Sequence, residues 1–92
     1  MILSNEPGYY KENHFGIRIE NLVYIKKSKI KNFLEFETLT LVPYARNLIN
    51  VNMLSLAQIN WINNYHNKLY KKLSNNLNNK TKNWLIEQTK PI

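Results

Sequence analysis

Two glutamates carry most of the chemistry this sequence can do: Glu6 in Ser4-Asn5-Glu6-Pro7-Gly8-Tyr9-Tyr10, and Glu20 in Phe15-Gly16-Ile17-Arg18-Ile19-Glu20-Asn21. Asn13 lies midway between them. Asparagine tolerates positive φ and bonds its own backbone, so Glu12-Asn13-His14 reads as a turn. A hairpin folded at Asn13 pairs residues whose numbers sum to 26, and this sets Glu6 opposite Glu20. Directly opposed side chains share a face, with Cβ atoms roughly 4.5–5.5 Å apart. Two like charges there are destabilising unless something positive lies between them. A divalent cation is a natural candidate, because carboxylate oxygens are good ligands for hard cations. The same residues also have a plain reading: Glu-Pro-Gly as a surface turn, and Arg18 with Glu20 as an exposed ion pair of little weight. Two carboxylates are too few for a tight site. The two histidines add little, since His14 lies in the turn and His66 on a helical stretch that favours a packing role.

The elements that must position these residues follow from hydrophobic period. Residues 1–6 and 15–25 read as strands, with Ile17, Ile19, Val23 and Ile25 on one face and Arg18, Glu20, Leu22 and Tyr24 on the other. Pro7 cannot donate to a ladder, so it marks an edge or a local distortion. Leu34 to Val42 is a third strand candidate, ended by Pro43. Residues 44–54 look irregular. Ser55-Leu56-Ala57-Gln58 has the form of a capping box, followed by Ile59, Ile62, Tyr65 or His66, Leu69 and Leu73 at helical spacing over about five turns. Residues 74–80 read as a loop, and Thr81 as the cap of a short last helix that carries Trp84, Leu85 and Gln88 and stops before Pro91. A strand that opens at residue 1 leads to the expectation that the sheet continues in sequence upstream.

Composition excludes several classes. Ninety-two residues without cysteine allow one small domain or part of a larger one, with no disulfide, thiolate nucleophile or cysteine-based zinc site. No secretory h-region follows Met1, and no apolar run approaches the roughly 18 residues a membrane span needs. The net charge of +7 invites a nucleic-acid reading. That reading is set aside: the excess is lysine accompanied by abundant Asn and Ile, as a compositionally biased genome would produce, and no phosphate loop or helix-turn-helix pattern is present. Lys26-Lys27-Ser28-Lys29-Ile30-Lys31 reads as a solvated loop between strands.

Asn5-Glu6-Pro7-Gly8-Tyr9-Tyr10 followed by Phe15-Gly16-Ile17-Arg18-Ile19-Glu20-Asn21 closely resembles the end of the catalytic domain of Xaa-Pro aminopeptidases (aminopeptidase P), pita-bread metallopeptidases related to prolidase, creatinase and methionine aminopeptidase. The resemblance continues through Phe36-Glu37-Thr38-Leu39-Thr40-Leu41-Val42-Pro43, Trp61-Ile62-Asn63-Asn64-Tyr65-His66, Trp84-Leu85 and Thr89-Lys90-Pro91-Ile92. It covers nearly the whole chain and looks like the eukaryote-like cytosolic branch, which carries a C-terminal extension. It implies an α+β fold, a C-terminal fragment of the pita-bread architecture: residues 1–42 as the last antiparallel strands of the catalytic domain, and residues 43–92 as the mostly helical extension.

The resemblance also implies a chemistry. The family holds two divalent ions, usually manganese, on two Asp, one His and two Glu. Glu6 matches the first glutamate, a metal ligand that also takes a proton from the attacking water, and Glu20 the second, which bridges the ions. Arg18 would bond an upstream carboxylate ligand, and Tyr10 would line the substrate pocket. The other three ligands and the substrate-binding histidines lie upstream of the matching segment in the family. The chain alone is therefore expected to be inactive on Xaa-Pro peptides. It reads as the product of a split or truncated gene, paired with a separate N-terminal half, or else as a non-catalytic homodimerisation module. A cytoplasmic location follows from the same branch.

Overall fold

The computed structural model describes residues 1–92 as two units, Met1–Leu41 and Val42–Ile92. In the first, alternating residues build five short strands: β1 (Ile2–Asn5), β2 (Gly8–Lys11), β3 (Phe15–Arg18), β4 (Asn21–Lys27) and β5 (Leu34–Thr38). β1, β4 and β5 form an antiparallel sheet with β4 in the centre, and β2 and β3 form a separate antiparallel pair. Ile2↔Tyr24 through Asn5↔Asn21 and Gly8↔Arg18 through Lys11↔Phe15 share one register, with numbers summing to 26 as the turn at Asn13 requires. Asn13 turns with φ 60°, and the His14 N–H donates to the Lys11 carbonyl at 3.0 Å. The ladder is interrupted at Glu6-Pro7, where proline has no N–H to give. Even so, the Pro7 carbonyl accepts from Ile19 N–H at 3.0 Å and keeps the two halves in step.

β4 alternates as its sequence demands: Asn21 and Val23 are buried and Leu22 is exposed. The basic cluster is only in part a loop. Lys26 and Lys27 belong to β4, and Lys26 Nζ pairs across the sheet with Glu37 at 2.7 Å and Glu35 at 3.5 Å. The turn to β5 is completed by Asn32 at φ 68°. β5 ends at Thr38, four residues before the expected limit of Val42.

In the second unit, 3-10 turns at Arg46–Leu48 and Val51–Met53 precede α1 (Leu56–Leu73). The capping box forms as written in the sequence, with Gln58 N–H donating to Ser55 Oγ at 3.2 Å and Ser55 N–H donating to Gln58 Oε1 at 2.9 Å. The expected loop 74–80 opens with a 3-10 turn, Ser74–Asn76, and α2 (Asn79–Thr89) starts early. Its cap is Asn78, whose Oδ1 accepts from the Thr81 N–H at 2.8 Å, rather than Thr81 itself. Asn competes well for this position because its carbonyl reaches the N3 amide.

The core of this unit is Ile62, Tyr65, His66 and Leu69 from α1 with Leu85 from α2. Full burial of each aliphatic side chain contributes about 1.5–3 kcal/mol. The stripe takes both Tyr65 and His66, where the sequence left a choice. Adjacent residues fit because segment 42–44 lies against that edge of α1. The Tyr65 hydroxyl accepts from Val42 N–H at 3.2 Å and donates to the Val42 carbonyl at 3.0 Å, and His66 Nε2 accepts from Tyr44 N–H at 3.2 Å. Tyr44, Trp61 and Tyr65 stack with ring centroids 5.0–6.4 Å apart. At the other end, Arg46 donates to the carbonyls of Lys90 and Pro91, and Asn63 Oδ1 accepts from Ile92 N–H at 2.9 Å.

Candidate metal centre

Register places the glutamates. Asn5↔Asn21 is the last pair of β1 and β4, and Gly8↔Arg18 the first of β2 and β3, so Glu6 and Glu20 stand opposite one another in the interruption between them. They line one cleft of about 320 Å³, with Ser4, Asn21, Leu22 and Thr40. Ser4 belongs there by arithmetic, since it pairs with Leu22 two residues along from Glu6. Thr40 could not be placed from its sequence, because it lies beyond the end of β5 and an unbroken strand to Val42 was expected. Asn21 is a buried polar residue on the inner side of β4, directly after Glu20.

Arg18 supplies the positive charge nearest the pair. Its Nε lies 3.2 Å from Glu20 Oε2, both side chains about half exposed. The guanidinium pKa is raised, first by Glu20, then by a hydrogen bond with the Tyr10 hydroxyl, with Glu6 adding a smaller attraction. Glu20 is therefore paired with a cation of the chain itself, and Glu6 feels the same charge more weakly.

Tyr10 is exposed and is not among the residues lining the cleft. Its ring lies over Gly16, its partner across β2 and β3, so closely that a Cβ at residue 16 would come within 2.6 Å of Tyr10 Cδ1. Glycine is required there for ring clearance. His14 stays in the turn with Nδ1 2.8 Å from the Glu12 carbonyl, away from the pair. His66 is fully buried with Nε2 committed to Tyr44, which removes it as a ligand. Nowhere do three or more His, Cys, Asp or Glu side chains gather as a metal-binding group. Two opposed carboxylates are thus what this chain brings to a cation: hard oxygen donors suited to Mg²⁺ or Mn²⁺ and too few to enclose either.

Residues 32–92 match the family described as the C-terminal region of peptidase_M24. The chain is 44% identical to "Probable Xaa-Pro aminopeptidase P" of Arthroderma gypseum, with 99% of this chain and 16% of that protein aligned. It is 39% identical to "Aminopeptidase P2" of Arabidopsis thaliana over 100% of this chain and 14% of that one. The structure superposes on a solved X-prolyl aminopeptidase from Caenorhabditis elegans, described as a cytosolic enzyme with a di-nuclear active site, with TM-score 0.83 and 36% identity, covering 99% of this chain and 16% of that one. The chain therefore spans only about 14–16% of the length of these relatives. No helix is long and apolar enough to cross a membrane. The mixed architecture, antiparallel strands followed by a C-terminal helical region, is that of the pita-bread aminopeptidases. By sequence and fold alike, the chain belongs to the peptidase M24 family and corresponds to the C-terminal region of its Xaa-Pro aminopeptidases.

Proposed function

We propose that this chain supplies the two-glutamate part of a dinuclear Xaa-Pro aminopeptidase centre and is inactive by itself. The observation that carries the proposal is the placement of Glu6 and Glu20 opposite one another in the interruption between the two strand pairs, lining one cleft. Residues 1–42 act as the last strands of the catalytic domain, and residues 43–92 as its helical extension. Glu6 and Glu20 are the ligands, and manganese is the ion we propose for both positions. A pair of divalent ions at such a centre makes water nucleophilic near neutral pH and stabilises negative charge on the scissile carbonyl oxygen.

The chain's own residues do the rest. Glu6 takes a proton from the attacking water. Glu20 would be the second ligand to the cations, and the ion pair of its Oε2 with Arg18 Nε at 3.2 Å orients the carboxylate. Tyr10, hydrogen-bonded to Arg18 and outside the glutamate cleft, would meet the Xaa-Pro peptide beyond the cleft's rim. Three further ligands must come from other sequence, either upstream in a longer polypeptide or in a second chain. The apolar residues left exposed on the strands, among them Ile2, Leu3, Phe15, Leu22 and Phe36, are the surface such sequence would cover. We place the protein in the cytoplasm with its structural relative.

The test is manganese titration of the 92-residue chain, read by paramagnetic broadening of backbone amide resonances. Broadening centred on Glu6 and Glu20, lost in both Glu6→Gln and Glu20→Gln, is the expected result, together with no hydrolysis of Xaa-Pro peptides. Broadening that ignores both substitutions, or hydrolysis by the isolated chain, sinks the proposal.

A further inference from the structure

We propose that Thr40 is a positioning residue for the Glu20 side of the cleft, its hydroxyl taking the place of a backbone acceptor where β5 leaves the sheet. The inference rests on the reading of Glu6 and Glu20 as a cation-binding pair.

The ladder between β4 and β5 runs in one register, Val23↔Thr38 to Lys27↔Leu34. One step further, Leu22 faces Leu39, and the Leu39 N–H donates to the Leu22 carbonyl at 2.7 Å. In a regular antiparallel pair the two residues exchange both bonds. Here the second bond, from the Leu22 N–H, goes to Thr40 Oγ1, also at 2.7 Å. A side-chain oxygen completes the pair although the strand has ended at Thr38.

Location turns this substitution into a functional matter. Leu22 and Thr40 both line the cleft that Glu6 and Glu20 line, and Leu22 is two residues beyond Glu20, which lies just before β4 begins. β4 begins only at Asn21, after the interruption that holds Glu20, so Glu20 itself has no ladder partner. Thr40 anchors the first exposed residue after that interruption. A serine would make the same bond. A valine, of nearly the same shape, would leave the Leu22 N–H to solvent and let the Glu20 backbone move.

Thr40→Val and Thr40→Ser separate this role from general support of the fold. The probe is Mn²⁺ alone, titrated against the 92-residue chain and read by paramagnetic broadening at Glu6 and Glu20, alongside hydrogen exchange of the Leu22 amide. Thr40→Val is expected to weaken manganese binding about tenfold, the lower end of what residues supporting metal ligands contribute. It is also expected to speed Leu22 exchange while leaving the amides of α1 and α2 unchanged. Thr40→Ser should restore both to within about twofold of wild type, since it keeps the supporting hydroxyl. Wild-type broadening that Thr40→Val leaves intact, or a loss that Thr40→Ser fails to rescue, overturns the role of Thr40 alone. Absence of broadening in the wild type overturns the cation-binding reading of the glutamates, and this inference with it.

Discussion

Replacing Tyr65 by phenylalanine isolates the contribution of one hydroxyl. Its oxygen accepts from Val42 N–H at 3.2 Å and donates to the Val42 carbonyl at 3.0 Å, so one side chain satisfies both polar groups of one peptide position. The ring keeps its stacking in the variant, with Tyr44 at 5.0 Å and Trp61 at 5.8 Å. A net intramolecular hydrogen bond contributes about 0.5–1.5 kcal/mol. Two are lost, but Val42 is 61% exposed and water can reach its backbone in part. We therefore expect Tyr65→Phe to cost about 1–2 kcal/mol, toward the low end of two full bonds. At 4–8 °C per kcal/mol for a unit of this size, the midpoint should fall by roughly 4–16 °C. Both tryptophans, Trp61 and Trp84, lie within Val42–Ile92, so urea unfolding followed by fluorescence reads this unit alone. Tyr70→Phe, on the same helix and half-buried, is the control. If the two variants agree within about 0.5 kcal/mol, the ordinary scatter of surface substitutions, the hydroxyl does not hold segment 42–44 and the reasoning fails.

Acid should weaken the same clasp. Burial, and secondarily the charge of Arg46, lower the His66 pKa, and Nε2 must stay unprotonated to accept from Tyr44. The unfolded chain therefore takes up the proton first, so stability is complete above about pH 6.5 and declines as the pH drops through that value toward the lower folded pKa. Melting curves at stepwise pH should show this decline in the wild type and a flatter profile in His66→Gln. Leu69, with no exposed surface, is the hub of the helical core, and Leu69→Ala should destabilise by about 2–5 kcal/mol in urea unfolding; a loss below 1 kcal/mol would mean that α1 and α2 repack freely. Asn13 sits at φ 60°, where a β-branched side chain is strained, so Asn13→Val should cost about 1–2 kcal/mol and speed exchange of amides in β2 and β3.

What the sequence made legible was local. A hairpin has one register once its turn is placed, and a period of two leaves no freedom about which side chains oppose. Asn13 fixed the turn, and the opposition of Glu6 and Glu20 followed. The capping box at Ser55 and Gln58 was equally readable, since its partners are three residues apart. The misses came from tertiary competition. β5 stops at Thr38, and a few residues on Tyr65 and His66 take the backbone of Val42 and Tyr44. No pattern within Leu34 to Val42 announces partners more than twenty residues away. Asn78 displaced Thr81 as the cap of α2 because both are good caps, and only the start of the helix decides between them.

The same limit governs the site. Opposed carboxylates call for a positive neighbour, but that demand does not specify a metal. Arg18 meets part of it from within the chain, 3.2 Å from Glu20 and attracted by Glu6 as well. Electrostatics therefore explains why the pair can fold as it does with no ion bound, and the case for a dinuclear centre comes from kinship with the aminopeptidases. The two arguments meet at Glu20. Arg18 Nε lies 3.2 Å from Glu20 Oε2, so the guanidinium both neutralises that carboxylate and orients it. A guanidinium that orients a carboxylate in this way serves an ion pair and, under the function proposed above, would equally serve a metal ligand.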